Sequence, residues 1–544
     1  DNKGGAGYDQ TRADFDFDRG SNAAATRIGS DGLLKKYQEN LLLQSNQFDT
    51  TWVNANSSET SGQADKDGGT NAWKIDLTGV SGRIYQSKSQ SGVVTFSVYA
   101  KKGTLDWVIL SSNIVDASFN LATGERGTLV GGITSSIEDV GGGWYRCSFT
   151  GSGSFTQFRI YPAIADNTFT ATSGNILIQS AQLETGMVST DYLNSTSVTG
   201  KAGVLVDMPR INYDANGENG SLLLEPSRQQ LLQYSEYFNA SAVWLPNTIT
   251  ITDNYGTSPE GLSNSTRLVL GNLTASRIAY APTLTNGTTY TFSCYYKGTA
   301  GEKLYMEGNG SGGSGTMTSK LVTLTGDWQR EDLQFVGGSS SNLIYIVDSR
   351  NGSEDTAQDF EIFGAQLEAN ATYATSYIPN HGESGGVTRA ADSCSGGGSA
   401  ESINSVEGVL YAEISALNND GTYRSISLSD GSTNNELLLY YYANNILAVD
   451  FRVGAVNQAP FSVTVNQTAI NKIAIKYKVN DFALWVNGTE VATDTSGSIP
   501  SANTFNNLSI SRANLSLPFY GNVKQLAVFN EALSDSELAT LTTL

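Results

Sequence analysis

The side chains that could do acid–base or nucleophilic chemistry are few in kind. A hydrolytic site needs a proton acceptor or nucleophile with partners, and the only histidine among the 544 residues is His381. It lies in a stretch rich in glycine and serine, which predicts a solvated linker residue rather than a general base. With that histidine placed in a linker, Ser-His-Asp triads, Cys-His pairs and histidine-rich zinc sites are not expected.

Carboxylate pairs are the remaining catalytic candidates, because two of them can hydrolyse a glycosidic bond. With 53 acidic residues in the chain, a close pair is expected from abundance alone. Glu184 and Glu368 recur within the string "AQLE", and the favoured interpretation is a strand-end carboxylate that bonds backbone or an arginine such as Arg146 or Arg330. We therefore predict that the protein is not an enzyme, with a polysaccharide-degrading enzyme as the weakest alternative.

Aromatic side chains offer a different chemistry, because their faces stack on sugars while Asn, Asp and Arg bond the hydroxyl groups. Seven aromatics are predicted on strands at positions opposite to the inward-facing set. These candidate glycan-binding residues are Tyr99, Trp107, Tyr295, Tyr296, Tyr440, Tyr442 and Trp485. The alternative for each is that it covers a sheet edge or a contact between protomers. Trp144 and Trp328 are instead predicted to pack in a core or corner.

Two acidic turns carry the oxygen ligands that calcium prefers. They are "DSRNGSEDTAQD", residues 348–359, and "SLSDGSTNNE", residues 427–436. The candidate metal ligands are Asp348, Asp355, Asp359 and Asp430. Neither turn has the ligand spacing of an EF-hand loop, and solvated turns are the alternative. We expect no required cofactor and leave a structural calcium ion open.

Charge and composition limit the partners of the chain. The 33 Lys and Arg against 53 Asp and Glu give a net charge of −20, which repels phosphate backbones and anionic lipid headgroups. Binding to nucleic acid and insertion into membranes are therefore not expected. The polar, glycine-rich start predicts no secretion signal, and no apolar run approaches a membrane span. Abundant Gly, Ser, Thr and Asn, with strand-favouring aromatics, predict an all-β fold.

Short strings recur in the same order in the first two thirds of the chain, at separations of roughly 185 to 195 residues. The matched strings are "NLLLQSNQF" (40–48) with "QLLQYSEYF" (230–238), "VTFSVYAKKG" (94–103) with "YTFSCYYKG" (290–298), "GWYRC" (143–147) with "DWQRE" (327–331), and "AQLETG" (181–186) with "AQLEAN" (365–370). Ordered matches of this kind indicate a duplicated domain of about 150 residues.

The repeated strings alternate as strands do. Val94, Phe96 and Val98 occupy one face of the predicted strand, and Cys294 of the second copy falls where Val98 falls in the first. This predicts a buried small side chain at Cys294 rather than a reactive thiol. The three cysteines are odd in number and unrelated in spacing, so no disulfide framework is expected. Such strands, joined by Gly and Asn turns, favour a two-sheet jelly roll.

A third domain is predicted after the Gly- and Ser-rich linker "HGESGGVTRAADSCSGGGS". Here "KIAIKYKV" alternates, and Asn487-Gly488 is typical of a type I′ hairpin turn. Ser534, with Glu537 three residues later, predicts a capped helix near the end. The predicted fold is three tandem antiparallel β-sandwich domains, the first two an internal duplication, after a short N-terminal segment. The predicted boundaries are 1–39 for the attachment segment, 40–199 and 230–393 for the repeats, 200–229 for a connector, and 394–544 for the last sandwich.

Several segments of the sequence resemble segments of known protein families. The closing segment "YGNVKQLAVFNEALSDSELATL" is similar to that of concanavalin-type or laminin-G-like jelly rolls. The repeats resemble carbohydrate-binding-module-like jelly rolls of bacteriophage virion proteins, in which strings such as "FSVYAKKG", "GWYRC", "GAQLE" and "SYIP…VTRAAD" recur. The segments "DFDFDRGSNAAATRIGSDGLL" and "PRINYDANGENGSLLLEPSRQQLL" also look like parts of phage tail and fibre proteins.

The resemblance implies a non-enzymatic virion protein, in a tail fibre or related adhesion device, that recognises host surface glycans. Its implied partners are host polysaccharide and, through the N-terminal segment, other virion proteins. It further implies a homo-oligomer, with a trimer favoured, that is assembled in the host cytoplasm and exposed outside the cell on the particle. The alternative is a purely structural protein that decorates the phage head or tail.

Overall fold

The computed structural model describes residues 15–20, 24–206, 208–309, 317–340, 342–350 and 354–544. Residues 1–14 of the predicted attachment segment lie outside this range. The described residues form antiparallel strands and one short helix, which confirms the predicted all-β fold. Among them, no helix is long and apolar enough to cross a membrane.

The strands are numbered in chain order. The N-terminal segment contains β1 (Asp16–Asp18), β2 (Thr26–Ile28) and β3 (Leu34–Lys36). The first repeat contains β4 (Gln38–Asn40), β5 (Val53–Ala55), β6 (Ser57–Gln63), β7 (Ala72–Leu77), β8 (Arg83–Lys102), β9 (Trp107–Ser112), β10 (Asp116–Asn120), β11 (Glu125–Val130), β12 (Thr134–Gly141), β13 (Trp144–Ala163), β14 (Asn175–Thr185) and β15 (Gly200–Ala202). The connector contains β16 (Arg210–Asn212) and β17 (Ser221–Leu224).

The second repeat and the C-terminal part contain the remaining strands and the helix of the described residues. The second repeat contains β18 (Arg228–Gln230), β19 (Trp244–Asn247), β20 (Ile249–Thr252), β21 (Thr266–Leu270), β22 (Arg277–Tyr280), β23 (Thr289–Gly298), β24 (Lys303–Asn309), β25 (Met317–Thr323), β26 (Gln329–Val336), β27 (Leu343–Asp348), β28 (Asp359–Ala369) and β29 (Val387–Arg389). The C-terminal part contains β30 (Ser393–Ser395), β31 (Glu407–Ala416), β32 (Arg424–Ser429), β33 (Glu436–Ala443), β34 (Ile446–Val453), β35 (Val456–Asn457), β36 (Phe461–Thr464), β37 (Asn471–Lys478), β38 (Asp481–Val486), β39 (Thr489–Asp494), β40 (Asn507–Ser509), β41 (Gly521–Phe529) and α1 (Asp535–Thr542).

The chain folds into two compact units that do not follow the predicted serial order. Unit 1 combines the described residues of 1–35 with 204–228 and 388–544, and unit 2 combines 36–203 with 229–387. The segments predicted as an attachment arm, a connector and a loose linker therefore supply much of unit 1. The two repeats form unit 2 together.

Unit 1 contains a sandwich of two sheets. A seven-stranded sheet has the order β16-β17-β41-β31-β37-β38-β39, so two connector strands extend it by pairing Leu222 with Val523. The second sheet has the order β35-β34-β33-β32-β40, with β36 also paired to β34. Alternate residues of both sheets meet in one apolar core that includes Leu410, Ile426 and Ile475. The Asn487-Gly488 turn has positive φ at both residues, as predicted for its hairpin.

A buried network of charges joins the segments of unit 1. Glu225 accepts hydrogen bonds from Arg210 at 2.7 Å and from Arg389 at 2.9 Å. Asp392 pairs with Arg210 and, at 3.3 Å, with Arg19. All five side chains are at most 2% exposed. The prediction of a solvated linker around residues 381–399 is wrong, because Arg389 and Asp392 from that stretch lie in this network.

In unit 2 the first repeat folds around two strands of 20 residues each. Strands β8 and β13 pair along nearly their whole length, and each also pairs with different neighbours in its two halves. Gly92 and Gly153 face each other at the midpoint. In the second repeat each of these long strands is divided into two. Strands β22 and β23 correspond to β8, and β26 and β27 correspond to β13. The second repeat is consequently built from two separate sheets.

The two repeats share a buried junction. Lys36 Nζ lies 2.9 Å from Glu260 Oε1 and 3.7 Å from Glu236 Oε1, with all three side chains at most 9% exposed. The backbone N–H of Val93 donates to the His381 carbonyl at 2.6 Å. A Cβ at Gly92 would lie 2.4 Å from that carbonyl oxygen, and Gly92 has φ of +87°. Only glycine fits this approach without strain.

Candidate functional site

The alternation of β33 divides its side chains between the core and the surface. Leu437, Leu439 and Tyr441 are at most 1% exposed and pack in the core between the two sheets. Tyr440 and Tyr442 project from the opposite face, because successive strand residues point to opposite sides. The strand pattern predicts both residues on the outer face, and they are partly exposed there.

A third tyrosine completes the group. Tyr423, immediately before β32, stacks on Tyr440 with ring centroids 6.2 Å apart and an interplanar angle of 8°. The centroids of Tyr440 and Tyr442 are 5.6 Å apart, and those of Tyr423 and Tyr442 are 6.0 Å apart. Tyr423 is 46% exposed. We call these three residues the tyrosine cluster.

Small residues flank the cluster on both neighbouring strands. Tyr440 lies opposite Ser425 on β32 and opposite Ala448 on β34. Burial, followed by the charge of Asp450, raises the pKa of Tyr440 to about 12. The phenol is therefore protonated at neutral pH and keeps an O–H donor.

The charges around the tyrosine cluster are paired. Asp450, on the outer face of β34, accepts from Arg452 at 2.7 Å. Farther along β33, Glu436 accepts from Arg512 Nε at 3.2 Å. Each of these two outer-face carboxylates is therefore matched by a guanidinium group, although the whole chain carries −20. The neutral polar groups and aromatic faces suit an uncharged ligand that carries hydroxyl groups.

Tyr99 and Tyr295 occupy equivalent places in the two repeats and are partly buried. The Arg146 guanidinium lies 5.4 Å from the Tyr99 ring centroid, and Arg330 lies 5.4 Å from that of Tyr295. Lys66 approaches Tyr99 at 4.9 Å. These rings are occupied by cations of the same chain, which leaves less of their faces for a ligand.

Trp107 is also partly buried. It packs in a small cluster with Ile109, Tyr161 and Phe169 on the first repeat. Trp144 lies in the same repeat and is 2% exposed, whereas Trp328 is partly exposed and donates its Nε1–H to the Thr257 carbonyl at 2.8 Å.

Two of the seven aromatic assignments are wrong. Tyr296 is fully buried, and its hydroxyl donates to the Ile346 carbonyl at 2.8 Å. It is two residues from Cys294 and shares the inward face, so strand alternation itself places it in the core. Trp485 is 7% exposed because Leu538 of α1 packs against it on the outer face of the seven-stranded sheet.

Glu184 and Glu368 have structural partners. Glu184 accepts from the Thr190 backbone N–H at 2.9 Å and from its hydroxyl at 2.6 Å. Glu368 accepts from the backbone N–H of Thr375 at 3.0 Å and from the hydroxyl of Thr375. Both carboxylates are at most 4% exposed. The two carboxylates therefore hold the loop after the strand in each repeat.

Three of the four predicted calcium ligands, Asp348, Asp359 and Asp430, accept hydrogen bonds from separate partners. Asp348 accepts from the backbone N–H of Arg350 at 3.0 Å, and Asp359 accepts from Arg267 Nε at 2.7 Å. Burial raises the pKa of Asp355 to about 6. Asp430 accepts from Asn435 and from the backbone N–H of Ser432. Within the described residues no three His, Cys, Asp or Glu side chains form a group that could hold a metal, and calcium binding stays a prediction.

His381 is placed differently from its prediction. It is partly buried at the junction of the repeats, and burial, followed by the charge of Lys36, lowers its pKa to about 4. The interpretation as a solvated linker residue is wrong. A neutral ring with a low pKa beside a buried lysine is a poor proton acceptor at neutral pH.

Tyr423 was not predicted from the sequence. It follows Gly421 in the turn "DGTY", one residue before β32 begins, and therefore lies outside any alternating strand pattern. The one available signal was a tyrosine directly after a turn and beside a strand. Its contact with Tyr440 depends on the pairing of β32 with β33.

Residues 411–539 match the family model Laminin_G_3, described as the concanavalin A-like lectin/glucanases superfamily. Together with the two-sheet architecture, this shows a concanavalin A-like domain at the C-terminus. The match includes all three residues of the tyrosine cluster. Comparison with curated proteins gives no match.

Several solved structures are similar to parts of this chain. A sialidase CBM40 from Ruminococcus gnavus bound to α2,3-sialyllactose is 19% identical, covers 26% of this chain and 83% of its own, and has a TM-score of 0.23. A heptameric SAP-like pentraxin from Limulus polyphemus is 14% identical, with 25% and 70% covered and a TM-score of 0.22. Domains LG4-5 of mouse laminin α1 are 10% identical, with 60% and 96% covered and a TM-score of 0.19. Similarity at this level does not bear on function.

Proposed function

We propose that this protein binds neutral glycans through the tyrosine cluster of its concanavalin A-like domain. The observation that carries the proposal is the convergence of Tyr423, Tyr440 and Tyr442, with centroids 5.6–6.2 Å apart, on the outer face of one sheet. Aromatic faces on a sheet can stack on the apolar faces of pyranose rings. The family description, which names lectins and glucanases, is consistent with a sugar ligand.

The paired charges favour a neutral sugar over an anionic one. An anionic ligand would need an arginine or lysine to spare, but Arg452, the guanidinium beside Tyr440, already contacts Asp450. The Asp450 carboxylate can still accept hydrogen bonds from sugar hydroxyls, because a carboxylate has several lone pairs. The tyrosine hydroxyls add further donors.

We propose binding rather than hydrolysis at this site. A glycosidase needs one carboxyl group that is protonated near neutral pH, opposite a second carboxylate. Asp450, whose charge acts on Tyr440, instead forms an ion pair with Arg452 at 2.7 Å. This carboxylate is therefore suited to holding hydroxyl groups.

The experiment is binding of the full chain to a panel of immobilised neutral and acidic polysaccharides, with Tyr423→Ala as the test variant. Loss of a stacking aromatic should weaken binding at least about tenfold. The matched control is Tyr255→Ala, because Tyr255 is 50% exposed and lies in unit 2. Equal binding by both variants, or binding to acidic polysaccharides alone, would contradict the proposal. New reducing ends in the same samples would show hydrolysis.

We further propose that the protein is an adhesion component of a phage tail fibre. The support is the resemblance of its repeats and connecting segments to those of phage virion proteins. In this proposal the N-terminal segment contacts other virion proteins, a homotrimer multiplies weak sites into avidity, and no cofactor is needed. Light scattering should then report three copies.

Labelled protein should bind bacterial strains selectively and lose binding when their surface polysaccharide is stripped. Binding that is indifferent to stripping would contradict the adhesive role. A folded oligomer that binds no strain would favour the alternative, a structural protein of the phage head or tail.

A further inference from the structure

Two paired strands of the first repeat carry a block of alternating arginines and tyrosines. Arg159 on β13 lies directly opposite Tyr85 on β8. Two residues along each strand, Tyr161 lies beside Arg83. Ile160 packs in the core of the repeat, so its neighbours on β13 project from the outer face of the sheet. We call the two arginines and two tyrosines the arginine–tyrosine block.

The side chains of the arginine–tyrosine block are in contact. The guanidinium carbon of Arg83 lies 5.6 Å from the ring centroid of Tyr85 and 5.5 Å from that of Tyr161. Burial raises the pKa of Tyr161, and the charges of Arg83 and Arg159 act in the opposite direction, so both guanidinium groups lie near this phenol. Arg83, Tyr85 and Arg159 are partly exposed. A ligand in solution can therefore reach the block.

The acceptors that the two arginines bind are neutral. Arg83 donates to the Ser81 carbonyl at 3.2 Å. Arg159 donates to Oε1 of Gln157 at 2.6 Å and to the Ser112 carbonyl at 2.8 Å. Among the described residues, neither arginine forms an ion pair with a carboxylate. Because a guanidinium group has five N–H donors, each arginine keeps donors for a ligand.

The arginine–tyrosine block has a local positive charge. Asp116 is near enough for its charge to add to the effect of burial on the pKa of Tyr161. Ser111, on the intervening strand β9, separates Asp116 from Arg159. Two positive charges against one negative charge leave the block positive, although the whole chain carries −20. At physiological salt, charges more than about 8 Å away are largely screened, so the local charge decides what binds.

The second repeat has a different arrangement on the corresponding strands. The string "RI" at 83–84 recurs at 277–278, and Arg277 lies opposite Asp348 on β27. Asp348 also forms an ion pair with Arg350. A carboxylate therefore lies opposite the arginine in the second repeat, on the strand that carries Tyr161 in the first.

We propose that the arginine–tyrosine block binds the anionic groups of acidic glycans. Guanidinium groups form paired hydrogen bonds with oxyanions, and diagonal neighbours on a sheet, roughly 7–8 Å apart, lie within reach of one long ligand group. The partly exposed Tyr85 ring offers apolar surface to the sugar that carries the anion. The carboxylate of a uronic acid and the ester of a sulfated sugar share this chemistry. This site goes beyond the proposed function, which concerns neutral glycans and a different domain.

The test measures binding of the full chain to polygalacturonate, dextran sulfate and uncharged dextran by interferometry at physiological salt. The wild-type protein should bind at least one of the two acidic polymers, and more weakly as the salt concentration is raised. The two acidic polymers distinguish a carboxylate from a sulfate group. Uncharged dextran should not compete for this site.

The test variants are Arg83→Gln and Arg159→Gln, which each remove one charge. Each should weaken binding to the acidic polymer at least about tenfold. Arg277→Gln makes the same change of charge at the corresponding place in the second repeat, and should bind as the wild type does. Arg159→Lys keeps the charge without the fork of donors and should recover part of the affinity. Thermal unfolding shows which variants are folded, and Arg83→Gln removes only one hydrogen bond to the chain.

Several outcomes would overturn this inference. They are failure to bind both acidic polymers, binding that both Arg83→Gln and Arg159→Gln retain, and an equal loss in Arg277→Gln, which would show attraction by overall charge. Tyr423→Ala should leave binding to the acidic polymers unchanged. If the arginine variants lose this binding while the wild type binds no neutral polysaccharide, this inference stands and the proposed function is contradicted.

Discussion

Arg210 and Asp392 form an ion pair between positions 182 residues apart, and neither side chain is exposed to solvent. Both belong to segments whose composition is typical of connectors and linkers. In the folded chain these segments instead supply strands and buried charges to unit 1. The arginine–carboxylate network around the pair therefore holds the separate segments of unit 1 together.

Replacing Asp392 with alanine should destabilise unit 1. The change would leave Arg19 and Arg210 buried without this carboxylate, which typically costs about 3–5 kcal/mol. Urea unfolding followed by hydrogen exchange of peptides from residues 388–544 would measure the loss. Glu407→Ala removes an ion pair that is exposed, with Lys478, and should not change the midpoint detectably. Similar midpoints for both variants would contradict the structural role.

Trp485 and Tyr423 should separate stability from binding. Trp485→Ala removes a packed indole beneath α1 and should cost about 3–5 kcal/mol in the free energy of unfolding. At temperatures where it is folded, its glycan affinity should equal that of the wild type. Tyr423→Ala should show the reverse, with unchanged unfolding and weaker binding. A direct role for Trp485 would follow if its variant lost affinity while fully folded.

The junction of the repeats should weaken in mild acid. Burial lowers the pKa of His381 from 6.5 to about 4, so between these values the unfolded chain binds a proton that the folded chain does not. The free energy of unfolding of unit 2 should therefore fall as the pH falls through this window. Glu260 lies nearby, and burial raises its pKa. Its titration therefore makes the free energy of unfolding rise as the pH falls, which is opposite to the effect of His381.

The contribution of His381 is isolated by comparison with His381→Gln. The difference in unfolding free energy between wild type and variant should change from pH 7 to pH 4, in the direction of a relative loss for the wild type. A constant difference over this range would show that the imidazole titrates in the folded chain as it does in the unfolded one.

The three thiols should be unreactive in the native protein. Cys147, Cys294 and Cys394 are buried, and burial raises the pKa of Cys294 and Cys394 to about 12. Because the thiolate is the reactive form, a thiol reagent at neutral pH should titrate three groups only after denaturation. Cys294→Val should change the unfolding free energy by less than about 1.5 kcal/mol, since Val98 occupies the equivalent place. Rapid native labelling would contradict this assignment.

Features with a local physical cause were predictable from sequence. The packing of Val94, Phe96 and Val98 in one apolar core follows from alternation, and the hairpin at Asn487-Gly488 follows from the tolerance of these residues for positive φ. The capping box of Ser534 and Glu537 forms as its spacing predicts. Each of these depends on interactions within a few residues of chain.

The errors have a common origin in contacts between distant segments. Arg389 and Asp392 lie among glycines and serines, so local composition predicts solvent, yet Glu225 and Arg210 bury them. Trp485 is on the outward side of its strand, but α1 covers it. Tyr296 is a different error, because a strict count from Cys294 would have placed it inward.

The all-β class, the internal duplication and the outward side of β33, which carries Tyr440 and Tyr442, follow from the amino-acid sequence alone. Periodicity and repetition are written in consecutive residues, so no partner segment is needed to interpret them. The place of Tyr423 beside this pair depends on the fold. Tyr423 is 17 residues from Tyr440 along the chain, and the pairing of β32 with β33 brings the two rings together.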